Sequence, residues 1–216
     1  MNIFIEPDFT SYYQKSPLLL IDIGASGGLE DNWQPAEKYL KVLGFEPDKT
    51  AWKKLNKQKK ENYKYLNTGL YSNKGSVNFN VAKKQKVSSI YSPNLKLLKQ
   101  FPEVDRFEII KTVKIEVDSL DNVLEKNNIY SPNFIKLDIQ GGELEVLKGA
   151  SENLNRISCI ELEIAFSELY VGQPLFSEIE QYLREFHFEV WDITRAYQKL
   201  NSTINIGNKK GKLISG

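Results

Sequence analysis

The sequence predicts an α/β fold built on a doubly wound, mostly parallel sheet, and three observations lead to this prediction. Apolar runs of strand length alternate with amphipathic stretches of helix length along most of the 216-residue chain. Carboxylates stand at or near the ends of several of these runs. No internal repeat or linker divides the chain, so residues 1–216 are expected to form one domain, with a lead-in segment over 1–17 and a polar tail over 194–216.

The first strand is predicted over Leu18–Ile23, an apolar run that contains one acid, Asp22, near its end. Such a run suits a strand that is buried on both faces of a parallel sheet. Gly24, Gly27 and Gly28 follow, and glycines at these positions allow a tight turn that brings backbone amides close to a ligand. Taken alone, the stretch fits an ordinary tight turn equally well.

The second strand is predicted to end at Phe45 and to deliver Glu46. Glu46 follows Asp22 at about the distance at which a strand-helix-strand unit brings an acid to ribose hydroxyls. Asp48 is a suitable N-cap for the next helix, which continues through Leu55.

Further strands are predicted over residues 63–67, 76–81 and 112–117. The long polar segment 82–106 between the last two is typical of a lid or a binding loop, although a plain connection would look similar. Its Ser88, Ser89 and Tyr91 are candidates for contact with a polar substrate. A helix is expected to begin near Asp118.

The stretch from Phe134 to Ala150 is the second informative one. Its strand delivers Lys136 and Asp138 to one face, because alternate residues of a strand point the same way. A turn at two glycines and an amphipathic helix follow.

The last part of the chain predicts a strand over 157–166, a helix with apolar residues from Phe176 to Phe186, and a strand over 188–193. Glu161 and Glu163 fall on one face of the first of these strands. Unpartnered carboxylates are costly to bury, so we expect them to reach a cleft.

Composition excludes several classes of protein. The net charge is +1, which offers no broad field for nucleic acid or an anionic membrane. One cysteine and one histidine leave no cluster for zinc, and no metal site is predicted, although carboxylate ligands alone cannot be counted from a sequence. No apolar run is long enough to span a bilayer and no signal peptide is evident, so a cytoplasmic location is expected.

The glycine pattern discriminates between cofactors. It reads G-x-x-G-G, which differs from the G-x-G-x-x-G of dinucleotide-binding proteins, and the chain has no P-loop motif. An adenosyl ligand without phosphates fits a loop that allows close backbone approach together with an acid for the ribose, and S-adenosylmethionine is such a ligand. An NAD-dependent oxidoreductase is therefore disfavoured.

Four stretches, taken together, resemble the FkbM-type methyltransferases, and the resemblance extends from about Leu18 to Thr194. The four stretches are Asp22–Gly28, Gly44–Asp48, Phe134–Ala150 and Glu163–Pro174. The resemblance implies a Rossmann-like methyltransferase fold in which the loop holds the methionine portion of S-adenosylmethionine, Glu46 holds the ribose, and 67–70 lies against adenine. The implied cofactor residues are Asp22, Gly24, Ala25, Ser26, Gly27, Gly28, Glu46, Pro47, Asn67, Thr68, Gly69 and Leu70.

The resemblance also implies O-methylation of a hydroxyl on a sugar, a glycan or a secondary metabolite. Asp138 and Glu163 are then candidates for the general base or an orienting pair, with Lys136 assisting electrostatically. The family pattern continues into a further apolar strand where this chain reaches Gly211–Gly216, which leaves open whether the last hairpin of the sheet is complete. A catalytically silent cofactor-binding module or partner subunit is the alternative from a different class. The oligomeric state is left open.

Overall fold

The computed structural model describes residues 7–58, 60–194, 196–199 and 212–215. The strands are β1 (Leu18–Ile23), β2 (Leu40–Phe45), β3 (Tyr63–Leu66), β4 (Gly69–Leu70), β5 (Gly75–Ala82), β6 (Ile109–Asp118), β7 (Phe134–Leu137), β8 (Cys159–Leu162), β9 (Ala196–Lys199) and β10 (Lys212–Ser215). The α-helices are α1 (Pro7–Lys15), α2 (Lys49–Gln58), α3 (Leu95–Leu98), α4 (Leu120–Lys126), α5 (Glu143–Lys148), α6 (Ser151–Leu154) and α7 (Phe176–Arg184). Short 3-10 helices cover Gln34–Tyr39, Gln85–Val87 and Val104–Phe107.

The main sheet has five strands in the order β3-β2-β1-β7-β8, and all of its pairings are parallel. The chain leaves β1 toward β2 on one side and returns to β7 on the other side. This reversal opens a crevice at the carboxyl ends of β1 and β7, which is where open α/β sheets bind ligands. The predicted α/β, doubly wound, Rossmann-like arrangement is confirmed.

Helices cover both faces of this sheet. Successive residues of β1 point to opposite sides and therefore lie in two different cores. Ile21 and Ile23 belong to a large core that also contains buried residues of α4, α5, α6 and α7. Leu20 belongs to a second core with Leu55 of α2 and Ala36 of the Gln34–Tyr39 helix. Both faces of β1 are thus buried, as its apolar composition requires.

A smaller sheet stands beside the main one, with the strand order β4-β6-β5. Strand β5 pairs with β6 in antiparallel fashion, and the segment after β5 packs on Tyr170, which belongs to a small third core with Leu98 and Phe107. The isolated bridge between Pro93 and Tyr170 ties this segment to the loop that follows β8. The smaller sheet and its loops therefore border the carboxyl end of β8.

One strand prediction near the carboxyl terminus is too long and another is wrong. The strand expected over 157–166 is limited to β8, and no strand forms over 188–193. The alternation in 188–193 is only a local signal, whereas a strand also needs a hydrogen-bonding partner. Val190 is 49% exposed and Trp191 is 98% exposed, so this segment does not bury its alternating side chains.

A hairpin of β9 and β10 follows, and among the described residues its strands pair only with each other. Within the described ranges, the last hairpin is therefore separate from the main sheet. The rest of the predicted tail, and residues 1–6 of the lead-in segment, lie outside the described residues. No helix within the described ranges combines the length and the apolar character that crossing a membrane requires.

Candidate functional site

The glycine loop after β1 lies directly against the end of β7. Gly24 has a φ of +84°, and a side chain added to it would place its Cβ 2.1 Å from the backbone oxygen of Asp138. Only glycine allows both this conformation and this approach. The Gly24 and Ala25 amides both donate to the carbonyl of Phe45.

The tip of the loop is open. Gly27 and Gly28 also have positive φ, of +106° and +87°, and a Cβ at either position would point into open space. The Gly28 amide donates to Ala25, whereas the Ser26 and Gly27 amides donate to no other backbone group within the described residues. The loop therefore presents unused donors beside the crevice.

Asp22 and Lys136 form a buried charge pair beneath this loop. They are direct cross-strand partners on β1 and β7, and both are nearly fully buried. The Lys136 ammonium lies 2.8 Å from Glu30 Oε1 and 3.6 Å from Asp22 Oδ1. Asp22 Oδ1 takes part in this ion pair but accepts no shorter hydrogen bond from the described residues.

The protonation of this pair is set by burial and charge. Burial raises the pKa of Asp22 to about 6, although the Lys136 ammonium opposes the shift. Burial disfavours the charged form of Lys136, but the carboxylates of Asp22 and Glu30 outweigh it and hold the Lys136 pKa above its ordinary value. Lys136 therefore stays cationic and links β7 to the segment after the glycine loop.

Glu46 stands at the carboxyl end of β2 and is 6% exposed. Its Oε1 accepts a hydrogen bond of 2.7 Å from the Asp48 amide, and burial raises its pKa to about 7. The Asn67 side chain braces the same turn by donating to the carbonyls of Glu46 and Pro47, each at 2.9 Å. Asp48 caps α2 as predicted, because its Oδ1 accepts from the Ala51 amide at 2.7 Å.

The four residues 67–70, which are predicted to lie against adenine, differ in their exposure. Asn67 is exposed and Thr68 is half-buried, whereas Gly69 and Leu70 form β4 and are buried. Leu70 belongs to the large core. The first two residues of the stretch are therefore the accessible ones.

Asp138 and Glu163 meet at the ends of the neighbouring strands β7 and β8. The Glu163 amide donates to the carbonyl of Leu137 at 2.9 Å, which continues the strand pairing, and both acids are exposed at the rim of the crevice. The Gln140 side-chain amide donates to Asp138 Oδ1 at 3.1 Å and also to Glu163 Oε2. Although part of Glu163 is exposed, protein atoms crowd its carboxyl group. This loss of hydration, together with the negative charge of Asp138, raises the pKa of Glu163 well above its usual range.

Glu143, at the start of α5, folds back over the preceding turn. Its Oε1 accepts from the Ile139 amide at 3.1 Å and from the Gly141 amide at 3.2 Å. The residue is 3% exposed, and burial raises its pKa to about 7 despite these donors. Glu143 thus fixes the turn that carries Gln140.

The suggestion that Ser88 and Ser89 meet a substrate is wrong, because internal groups occupy both buried hydroxyls. Ser88 Oγ accepts from the Ala82 amide at 3.0 Å, and Ser89 Oγ donates to the Gln140 carbonyl at 2.6 Å. Segment 82–106 therefore supports the turn after β7 at this point. Glu161 is exposed, and its carboxylate accepts two hydrogen bonds from the Asn32 side chain in the segment that follows the glycine loop.

Comparison with models of known protein families identifies the family of this chain. The model of the methyltransferase FkbM domain matches residues 22–190, which contain the glycine loop, Glu46 and the two rim acids. The chain belongs to this family. It is therefore a methyltransferase, as its resemblance to FkbM-type enzymes predicted. Searches of curated proteins and of solved structures found no match.

The FkbM domain of this chain brings together most of the residues that its sequence singled out. Asp22, Glu46, Asp138 and Glu163 all border one crevice, because the carboxyl ends of parallel strands meet at one edge. Sequence reasoning missed Glu30, Gln140 and Tyr170. Only Gln140 carried a local signal, since it adjoins Gly141 in the turn between Asp138 and α5.

Proposed function

We propose that this FkbM-family protein is an S-adenosylmethionine-dependent O-methyltransferase that methylates a hydroxyl of a sugar, a glycan or a secondary metabolite. The observation that carries the proposal is the arrangement of groups around the crevice. The glycine loop, whose Ser26 and Gly27 amides donate to no backbone group among the described residues, adjoins the buried Asp22 carboxyl group, and Asp138 and Glu163 stand at the ends of β7 and β8.

The chain's own groups fit the proposed cofactor. The loop residues Gly24, Ala25, Ser26, Gly27 and Gly28 offer close backbone approach, and the buried carboxyl group of Asp22 can accept from a ligand ammonium beside its ion pair with Lys136. Glu46 can accept from ribose hydroxyls, with Pro47 and Asn67 shaping its turn. Asn67 and Thr68, the accessible residues of the stretch 67–70, would lie against the adenine, while the buried Gly69 and Leu70 support them from strand β4.

The cofactor, when bound, supplies a methyl group on a positively charged sulfur, which needs little further activation. The protein must align the acceptor oxygen and take up its proton. Glu163 or Asp138 accepts that proton as the oxygen–carbon bond forms and the carbon–sulfur bond breaks, with its electrons staying on sulfur. Because its pKa is raised, the Glu163 carboxylate is a stronger base than an ordinary exposed carboxylate once it has lost its own proton. The buried ammonium of Lys136 adds positive potential beside the two acids.

The proposal is tested by transfer of radiolabelled methyl from S-adenosylmethionine to a panel of sugars, glycans and small hydroxylated metabolites. Asp138→Asn and Glu163→Gln should each lower the rate with an accepted hydroxyl by about 100-fold or more, as expected for loss of a general base. Glu189→Gln is the matched control, because Glu189 is exposed in the segment that follows α7.

The rates of the two acid variants test the assignment of the base, and the activity of the wild-type protein distinguishes an enzyme from a silent binding module. If both acid variants keep the wild-type rate, the assignment of the base is wrong. If wild-type protein binds the cofactor but methylates nothing in the panel, the proposed O-methylation gives way to a binding module.

A further inference from the structure

Gln140 links the two rim acids through a single side-chain nitrogen. Its Nε2 lies 3.1 Å from Asp138 Oδ1 and also donates to Glu163 Oε2. A primary amide nitrogen carries two hydrogens, so it can donate to both oxygens at once. One neutral group therefore contacts both carboxyl groups.

The other end of the Gln140 side chain is held by the neighbouring loops. Its Oε1 accepts from the Tyr170 hydroxyl at 3.0 Å, and Tyr170 is 1% exposed. The Tyr170 hydroxyl also lies 3.0 Å from the carbonyl of Val87. The Gln140 carbonyl accepts from Ser89 Oγ. Segment 82–106 and the loop after β8 thus both converge on Gln140.

The backbone of Gln140 is in a conformation that its residue type does not favour. Its φ is +62°, in the left-handed region, which costs a residue with a β-carbon about 1 kcal/mol or more. Glycine or asparagine would adopt this conformation more easily. A glutamine here is explained by its reach, because its side chain contacts both acids and Tyr170.

We propose that Gln140 is a positioning residue for methyl transfer, which holds Asp138 and Glu163 as a pair around the acceptor hydroxyl and is itself oriented by Tyr170. This inference rests on the proposed function. Gln140 donates to one oxygen of each acid, and a donated hydrogen bond favours the ionised form of a carboxyl group, which is the form that accepts a proton. Loss of the donor destabilises the ionised form of Glu163.

The test follows the side-chain carboxyl carbon of Glu163 by NMR during a pH titration of protein with ¹³C-labelled glutamate. The Glu163 resonance is assigned from the Glu163→Gln variant. Gln140→Glu removes the donor and adds a third acid, so the Glu163 titration should move to higher pH by about one pH unit or more. Gln58→Glu is the matched control, because Gln58 is exposed at the end of α2, which packs on β3 at the opposite edge of the sheet.

Gln140→Asn provides a second variant that folding should tolerate, since asparagine accepts the left-handed conformation. Its shorter amide cannot reach both acids, so the Glu163 titration should again move upward. An unchanged Glu163 titration in both Gln140 variants would overturn the inference.

Calorimetry with S-adenosylhomocysteine on the same samples distinguishes failure of the proposed function from failure of the role given to Gln140. If wild-type protein fails to bind it, the proposed function fails, whatever the titration shows. If it binds while neither Gln140 variant moves the titration, only the role of Gln140 is refuted.

Discussion

Glu46→Gln should stabilise the ligand-free protein at alkaline pH while weakening cofactor binding. Burial raises the pKa of Glu46 from 4.5 to about 7, so the folded state prefers the protonated form. Stability from this group is fully present below pH 4.5 and is lost as the pH rises through 7. Between pH 5 and pH 8 the ionisation costs the folded protein about 2–3 kcal/mol.

Glutamine removes this cost and keeps an oxygen for the Asp48 amide. In thermal unfolding at pH 8, the melting temperature of the variant should exceed that of the wild type by about 5–10 °C, and the difference should shrink at pH 5. The same variant should bind S-adenosylhomocysteine about tenfold more weakly, because a neutral amide loses charge-assisted hydrogen bonds.

Glu189→Gln is the control for the thermal unfolding of Glu46→Gln. Glu189→Gln changes an exposed carboxylate and should show no such dependence on pH. Equal melting temperatures for wild type and Glu46→Gln at pH 8 would mean that Glu46 is well hydrated. The assignment of a buried, ligand-facing carboxyl group would then be refuted.

Two further predictions concern the loop and the charge pair beneath it. Gly24→Ala should lower the free energy of unfolding by about 3 kcal/mol or more, because its Cβ would collide with the Asp138 backbone, whereas Gly27→Ala should lower it by about 1 kcal/mol from backbone strain alone. Urea unfolding of both variants checks this, and equal losses would contradict the close approach at Gly24. Lys136→Met should cost about 3 kcal/mol at pH 7 and less at pH 5, where Asp22 takes up a proton. An equal loss at both pH values would show that the ammonium does not stabilise the Asp22 carboxylate.

Much of the fold was predictable from local patterns. The run Leu18–Ile23 has the composition of a strand buried on both faces, and the period of α7 places Ile179 and Leu183 in the core. The meeting of Asp22, Glu46 and Asp138 followed from topology, because parallel strands end at one edge.

What the sequence could not predict depends on contacts between distant segments. Gln140 bonds to Glu163 and Tyr170, which are 23 and 30 residues away, and no local pattern specifies either contact. Ser89 has the features of a substrate-binding hydroxyl, yet its partner is a carbonyl 51 residues away. The segment 188–193 alternates like a strand, but its pairing depends on a neighbour that its own residues do not determine.

Calorimetric titration of the wild-type protein with S-adenosylhomocysteine, and separately with NAD, tests the central claim most directly. The arrangement of the glycine loop, Asp22 and Glu46 predicts that S-adenosylhomocysteine binds with one site per chain and that NAD does not. Binding of NAD without binding of S-adenosylhomocysteine would contradict the account, because the crevice would then accept a pyrophosphate where a methionine portion is proposed.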